Sequence, residues 1–142
     1  MARIEDLPPE WQKQVRNKIA DKPVRQGKRG RAGVAPGKMN KLETRFVNEV
    51  IKPAMSMGSI TDYKFEPLKL KLARATFYTP DFAVVRTNDG AIFLYEVKGH
   101  WEDDARVKWK TAAELFPWFV FVAVQRIKGK WVYEYYHKKH EA

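Results

Sequence analysis

The sequence contains no cysteine among its 142 residues. Disulfide bonds, thiol nucleophiles and cysteine-ligated zinc sites are therefore excluded. The sequence also lacks an apolar run approaching the roughly 20 residues that a membrane-spanning helix needs; its longest such run covers only residues 116–124. The first six residues have no apolar stretch typical of a secretory signal. We therefore expect a cytoplasmic protein that does not associate with membranes.

Acidic residues are scarce relative to basic ones, with 17 Asp and Glu against 27 Lys and Arg, a net charge of +10 and a pI near 9.8. This excess favours a polyanionic partner, because Lys and Arg that neutralise phosphates release condensed counterions. A basic surface that is indifferent to nucleic acids is the alternative. Composition thus indicates nucleic acid as a partner and does not define an activity.

The first 39 residues differ in character from the rest. Prolines at positions 8 and 9, followed by apolar residues at helical spacing, predict a short helix over 8–21. Residues 22–41 contain no acid, several cations and four glycines. They predict a flexible arm that either contacts a phosphate backbone or serves only as a solvated tether. The candidate backbone contacts in this arm are Arg25, Lys28, Arg29, Arg31 and Lys38.

Residues 40–136 have the pattern of a globular core, and 137–142 form a polar tail. The core begins with an apolar helical stripe that should end at Pro53, and Asn88-Asp89-Gly90 is a strong hairpin signal. The pattern predicts an α/β fold, in which a mixed sheet is flanked by helices. The remaining predicted elements are an extended stretch over 63–72, strands over 81–86 and 91–98, a helix over 102–116, a buried strand over 118–124, and a turn followed by an aromatic edge strand over 126–133.

Three residues of the predicted hairpin are suited to metal chemistry. Side chains alternate along a strand, so Glu96 and Lys98 should share one face while Val97 points to the other. The hairpin should also bring the Asp81 carboxylate near that of Glu96. Two clustered carboxylates repel unless a cation lies between them, and oxygen ligands select magnesium or manganese. Lys98 would add a fixed positive charge beside the site.

Glu43 has two interpretations. Asn40 and Glu43 have the spacing of a capping box, in which each side chain bonds to the backbone of the other residue. Glu43 also precedes Phe46, Val47 and Val50 by three, four and seven residues, so it lies on the stripe that should face the sheet. A carboxylate in that position needs a cationic partner. We expect it to belong to the metal site.

The sequence resembles a nuclease family at these positions. Pro80-Asp81 followed by Glu96-Val97-Lys98 is similar to the PD-(D/E)xK signature. More closely, residues 79–82 and 96–104 resemble the phage endonuclease I type of Holliday-junction resolvase, over about residues 40–125. The resemblance implies a restriction-endonuclease-like core and hydrolysis that depends on magnesium, with manganese as a substitute.

The same resemblance assigns roles to the residues of the motif. It implies that Asp81, Glu96 and the Val97 carbonyl bind the metal, that Lys98 is catalytic and that Glu43 is an auxiliary acidic ligand. It also implies a DNA endonuclease acting on branched or structured DNA as a homodimer, although the N-terminal arm does not match that of the resolvases. The alternatives are a single-strand or strand-end recombination nuclease and a non-catalytic DNA-binding protein on a nuclease fold.

Two further residues allow more than one interpretation. His100 follows the motif and could approach a phosphate, but a loop histidine without a catalytic role is the commoner case. Lys108 lies at the margin of the apolar face of the second core helix. Its ammonium group could point at DNA near the metal, or it could reach solvent from the edge of the core.

Overall fold

The computed structural model describes Pro8, Pro9, Gln12 and residues 37–137. These residues form an α/β fold around a five-stranded mixed sheet with the strand order β1-β4-β5-β6-β7. Strands β5 and β6 are parallel, and the other neighbours are antiparallel. The sheet strands are β1 (Ile60–Phe65), β4 (Phe82–Arg86), β5 (Ile92–Lys98), β6 (Val120–Ile127) and β7 (Lys130–Tyr135).

A single helical segment precedes the sheet and changes its hydrogen bonding midway. It consists of α1 (Lys41–Phe46), a π-helical stretch (Val47–Ile51) and α2 (Lys52–Ser56). The prediction that Pro53 ends this helix is therefore wrong. The N–H of Lys52 donates to the carbonyl of Val47, five residues back, so the helix is wider immediately before the proline. This widening accommodates a residue that has no N–H and would otherwise crowd the preceding turn.

The predicted extended stretch over 63–72 is two strands that belong to different sheets. Strand β1 ends at Phe65, and Glu66 then takes a left-handed backbone conformation with φ 46° before Pro67. The chain continues as β2 (Leu70–Ala73), which pairs with β3 (Thr76–Tyr78), a strand that the sequence pattern did not predict. We call this separate two-stranded unit the β2–β3 ribbon.

The hairpin and the second core helix agree with the sequence prediction. Strands β4 and β5 pair through the turn at Asn88-Asp89-Gly90, where Gly90 has φ 69°. Glycine adopts this conformation without the steric cost that a side chain would impose. Helix α3 (Asp103–Leu115) then returns along the sheet, and its apolar side buries Trp109 and Ala112.

The sheet is covered on both faces, as the apolar run in β6 predicted. Phe121 and Ala123 belong to a core beneath α3 and the β2–β3 ribbon. Val122 and Val124 belong to a second core beneath the segment that contains α1 and α2. Phe46 is the centre of this second core, with ring contacts to Phe82, Tyr95 and Trp131.

Several sequence predictions fall on residues that the structure does not describe. The helix over 8–21 is represented only by its beginning, where the N–H of Gln12 donates to the carbonyl of Pro8. The basic arm is represented only from Gly37 onward. In the part of the chain that is described, no helix is long and apolar enough to cross a membrane.

Replacing Phe46 by alanine tests the second core. The ring is 0% exposed, so we expect Phe46→Ala to lower the free energy of unfolding by about 3–5 kcal/mol through lost burial and a residual cavity. Trp118→Ala is the control, because Trp118 is 74% exposed and should change stability by less than about 0.5 kcal/mol. Urea denaturation measures both, and equal losses would contradict the proposed centre of the core.

Candidate active site

The candidate site lies at the edge of the sheet where β5 ends and β4 begins. Asp81 immediately precedes β4, and Glu96 is near the end of β5. Phe82 pairs with Tyr95 in the hairpin register, so the next positions outward are Asp81 and Glu96. Both carboxylates are buried, at 7% and 5% exposure. The predicted approach of these two side chains is therefore present in the fold.

The Asp81 side chain is fixed by the backbone of the neighbouring strand. Its Oδ2 atom accepts a hydrogen bond of 2.7 Å from the N–H of Val97. The preceding Pro80 is fully buried and sets the chain direction into β4. This hydrogen bond continues the pairing of β4 with β5 by one position, with a side chain in place of the backbone. The Asp81 carboxylate cannot turn away from Glu96 without losing the hydrogen bond from Val97.

Glu96 is held from two sides. Its Oε2 atom accepts a hydrogen bond of 2.8 Å from the hydroxyl of Tyr78, at the end of β3. Its Oε1 atom lies 3.0 Å from the ammonium nitrogen of Lys98. The ion pair shows that Glu96 and Lys98 share one face of β5, and Val97 lies in the core on the opposite face. The predicted alternation is confirmed.

The two carboxylates have abnormal acidity. Burial, and then the neighbouring charge of Glu96, raise the pKa of Asp81 to about 8, despite the hydrogen bond from Val97. Burial also raises the pKa of Glu96, although Lys98 and Tyr78 oppose the change. Two buried acids that repel each other retain a proton unless a cation neutralises them. A cation placed between the two carboxylates would therefore stabilise their ionised forms.

Lys98 supplies one such charge. Burial lowers the pKa of its ammonium group, but the attraction and hydrogen bond of Glu96 outweigh that effect, so the net change is upward. Lys98 is thus a cation at neutral pH, which the sequence alone left undecided. Burial and the adjacent Glu96 raise the pKa of Tyr78 well above its usual value, so Tyr78 stays protonated and can donate to Glu96.

Glu43 forms the predicted capping box and is buried beside the carboxylate pair, whereas its binding of a metal stays a prediction. The Glu43 N–H donates to Asn40 Oδ1, and the Asn40 N–H donates to Glu43 Oε2, each over 2.8 Å, which completes the capping box. The side chain is 8% exposed, and Lys98 and Glu96 both influence its pKa. Burial raises that pKa, while the hydrogen bond from Asn40 opposes the rise. Glu43 therefore caps α1 and also faces the carboxylate pair.

The other predicted residues are either exposed or outside the described part of the chain. Lys38, His100 and Lys108 are all exposed, the last of them on α3. Their proposed contacts with DNA or substrate stay predictions. The arm residues Arg25, Lys28, Arg29 and Arg31 lie outside the described residues.

Tyr78 is the member of the site to which the sequence assigned no role. It stands three residues before Asp81, but its contact with Glu96 spans 18 positions along the chain. Tyr78 reaches Glu96 only because the β2–β3 ribbon folds over the core beside α3. A tyrosine in a short strand carries no sequence signal for such a long-range contact.

The donor set suits a hard divalent cation. Magnesium is usually held by one or two protein carboxylates and keeps several waters, and Asp81 and Glu96 supply two carboxylates whose repulsion a cation would relieve. Among residues 37–137 and the three described before them, no group of three or more His, Cys, Asp or Glu side chains is arranged to hold a metal ion. Asp81 and Glu96 are thus the residues that would hold magnesium, and both the magnesium site and the role of Glu43 as an additional ligand stay predictions.

Comparison with protein-family models, with curated proteins and with solved structures finds no match to this chain.

The raised pKa of Asp81 predicts a pH-dependent stability. Between pH 3.8 and about 8 the folded protein binds a proton at Asp81 that the unfolded chain releases. The free energy of unfolding should therefore fall as pH rises through this range in metal-free buffer. Asp81→Asn cannot lose this proton, so the variant should show a shallower fall and exceed the wild type in stability at pH 8.5.

The matched control is Asp89→Asn in the exposed hairpin turn. Its hydrogen bond from Arg86 lowers the pKa of Asp89 to about 2, so this substitution should leave the slope between pH 5 and 8 unchanged. Urea denaturation at several pH values measures all three proteins. An identical slope in the wild type and Asp81→Asn would contradict the assigned acidity.

Removing the Tyr78 hydroxyl tests the contact with Glu96. Tyr78→Phe keeps the buried ring and removes a hydrogen bond that lowers the pKa of Glu96. We expect that pKa to rise and the free energy of unfolding at pH 8 to fall by about 2 kcal/mol. Carboxyl-carbon NMR and urea denaturation are the measurements.

Tyr136→Phe provides the matched control, because the Tyr136 hydroxyl also donates to a glutamate, Glu114, over 2.7 Å. That substitution should leave the titration of Glu96 unchanged. If both variants shift Glu96 equally, the direct hydrogen bond does not control its acidity.

Proposed function

We propose that this protein is a divalent-metal-dependent DNA endonuclease that hydrolyses phosphodiester bonds. The proposal rests above all on one observation. Two buried carboxylates, Asp81 and Glu96, lie together at one end of the sheet with the protonated Lys98 beside them. That combination suits the hydrolysis of a phosphodiester, which needs a hard cation and a fixed positive charge near the phosphate.

A bound magnesium ion would supply Lewis acidity toward a phosphoryl oxygen and lower the pKa of the attacking water. The residues of the chain have complementary tasks. Asp81, fixed by Val97, and Glu96, fixed by Tyr78, hold negative charge in a preset position. Lys98 places an ammonium group at the same site, where it can offset charge that develops on the phosphate in the transition state.

DNA is the proposed substrate because the chain carries a net charge of +10 and because the motif resembles that of PD-(D/E)xK nucleases. The mixed five-stranded sheet with helices on both faces is compatible with a restriction-endonuclease-like core. The similarity to endonuclease I-type resolvases extends the proposal to branched DNA and to a homodimer. Neither extension is needed for hydrolysis at Asp81 and Glu96.

Cleavage of DNA in the presence of magnesium tests the proposal. Asp81→Asn and Lys98→Gln should each reduce the cleavage rate by at least about 100-fold, the scale of a lost electrostatic contact in the transition state. Binding of the same DNA should persist in both variants, since each keeps most of the basic surface. A gel assay of cleavage and fluorescence anisotropy measure the two effects separately.

The controls use the same chemical changes away from the site, in Asp89→Asn and Lys52→Gln, both at exposed positions. Calorimetric titration with magnesium adds a readout independent of cleavage, and Asp81→Asn should weaken binding of the ion. Robust cleavage by Asp81→Asn would overturn the active-site assignment. DNA binding by the wild type without magnesium uptake would favour a non-catalytic DNA-binding protein.

A panel of substrates separates the remaining alternatives. A four-way junction, a flap, a single strand and a linear duplex of shared sequence should be compared at equal concentrations. Preference for the junction would support resolvase-like activity, whereas preference for the single strand or for duplex ends would favour a recombination nuclease.

A further inference from the structure

We propose that the outer face of the β2–β3 ribbon is a DNA-backbone contact surface next to the active site. The surface consists of Lys69, Lys71, Arg74 and Phe77. This inference rests on the proposed function, because it takes DNA to be the substrate. None of these residues belongs to the arm that the sequence marked as the DNA-binding segment.

The ribbon has two different faces. Leu70, Leu72 and Tyr78 are buried against α3 and the central sheet. The residues that alternate with them, Lys69, Lys71 and Phe77, are exposed. The ribbon is thus anchored by one face and presents the other to solvent, so its position does not depend on the cations that it displays.

Within the described part of the chain, no ion pair compensates the charge of the outer face. From residue 68 to residue 78 the ribbon carries three cations and no acid. Of the five arginines in the described residues, Arg45, Arg86, Arg106 and Arg126 each form an ion pair with a carboxylate. Arg74 is in none of the ion pairs found in that part of the chain, and neither are Lys69 and Lys71. Cations without carboxylate partners can neutralise phosphates without first breaking an ion pair.

The side chains of the outer face also lie close to one another. The ammonium group of Lys69 lies 4.5 Å from the centre of the Phe77 ring, and Lys71 is the cross-strand partner of Phe77. Lys69 is therefore held over the exposed ring, and Lys71 starts from the position opposite that ring on the neighbouring strand. Arg74 follows at the turn of the ribbon, where Ala75 has φ 54°.

The ribbon is connected directly to the carboxylate pair. Tyr78 ends β3 and donates to Glu96, and the chain reaches Asp81 three residues later. Arg74 lies four positions before Tyr78, with the turn between them, so the chain separates the two residues by at most about 13 Å. This distance corresponds to about four base-pair steps of DNA at 3.4 Å each. A duplex whose scissile phosphate lies at Asp81 and Glu96 can therefore extend its backbone along the ribbon.

DNA binding by charge-matched double variants tests the proposal, in an Asp81→Asn background that prevents cleavage. Lys71→Gln/Arg74→Gln removes two cations from the ribbon. Lys52→Gln/Arg86→Gln removes the same two residue types elsewhere, since Lys52 begins α2 and Arg86 ends β4 far from Asp81. Fluorescence anisotropy with a labelled duplex is measured over a range of salt concentrations.

We expect the ribbon variant to bind at least about 10-fold more weakly and to lower the salt slope by about 2, one unit for each lost phosphate contact. The control variant should bind within about twofold of the Asp81→Asn parent. Equal weakening in both variants, or no weakening in the ribbon variant, would overturn the proposal. Circular dichroism confirms that both variants are folded.

Failure of the ribbon proposal and failure of the nuclease proposal give different results. If the protein cleaves DNA with magnesium while the ribbon variant binds normally, only the ribbon surface is wrong. If the ribbon variant loses binding while the wild type never cleaves, the surface holds and the hydrolytic function is wrong.

Discussion

Two carboxylates that repel each other are held side by side in a buried position, and the surrounding structure serves to keep them there. The Val97 backbone fixes Asp81, and Tyr78 and Lys98 fix Glu96. Each contact comes from a different part of the fold, namely the neighbouring strand, the ribbon and the end of the same strand. Burial first, and then the charge of Glu96, raise the pKa of Asp81 to about 8. Strongly shifted pKa values of this kind are concentrated at functional sites, although structural ion-pair networks also produce them.

The covering layers are arranged around that pair. The segment with α1 and α2 packs on one face of the sheet and directs Glu43 toward the site, while α3 and the β2–β3 ribbon pack on the other. Leu42, at the start of α1, lies against Gly99 just beyond β5, so the helix begins at the same sheet edge. Elements from both faces therefore meet at the edge where the carboxylates lie.

Local sequence signals predicted much of this fold and the central residues of the site. The turn at Asn88-Asp89-Gly90 set the register of β4 and β5, which in turn placed Asp81 beside Glu96. The prediction failed at two positions. Pro53 is accommodated by a π-helical turn before it, for which the sequence contains no local signal. The stretch over 63–72 breaks at Glu66 into strands of different sheets, and Pro67 is the local signal for that break, because proline interrupts strand pairing.

The sequence by itself determined the hairpin, the alternation that places Glu96 and Lys98 on one face of β5, and the basic character of the chain, because these depend on residues close together or on composition. Only the tertiary structure decided that Tyr78 donates to Glu96, that Lys98 remains protonated and that Glu43 both caps α1 and faces the site. The physical reason is that burial and long-range contacts fix acidity and hydrogen-bond partners, and these arise only once the ribbon, the helices and the sheet have packed together.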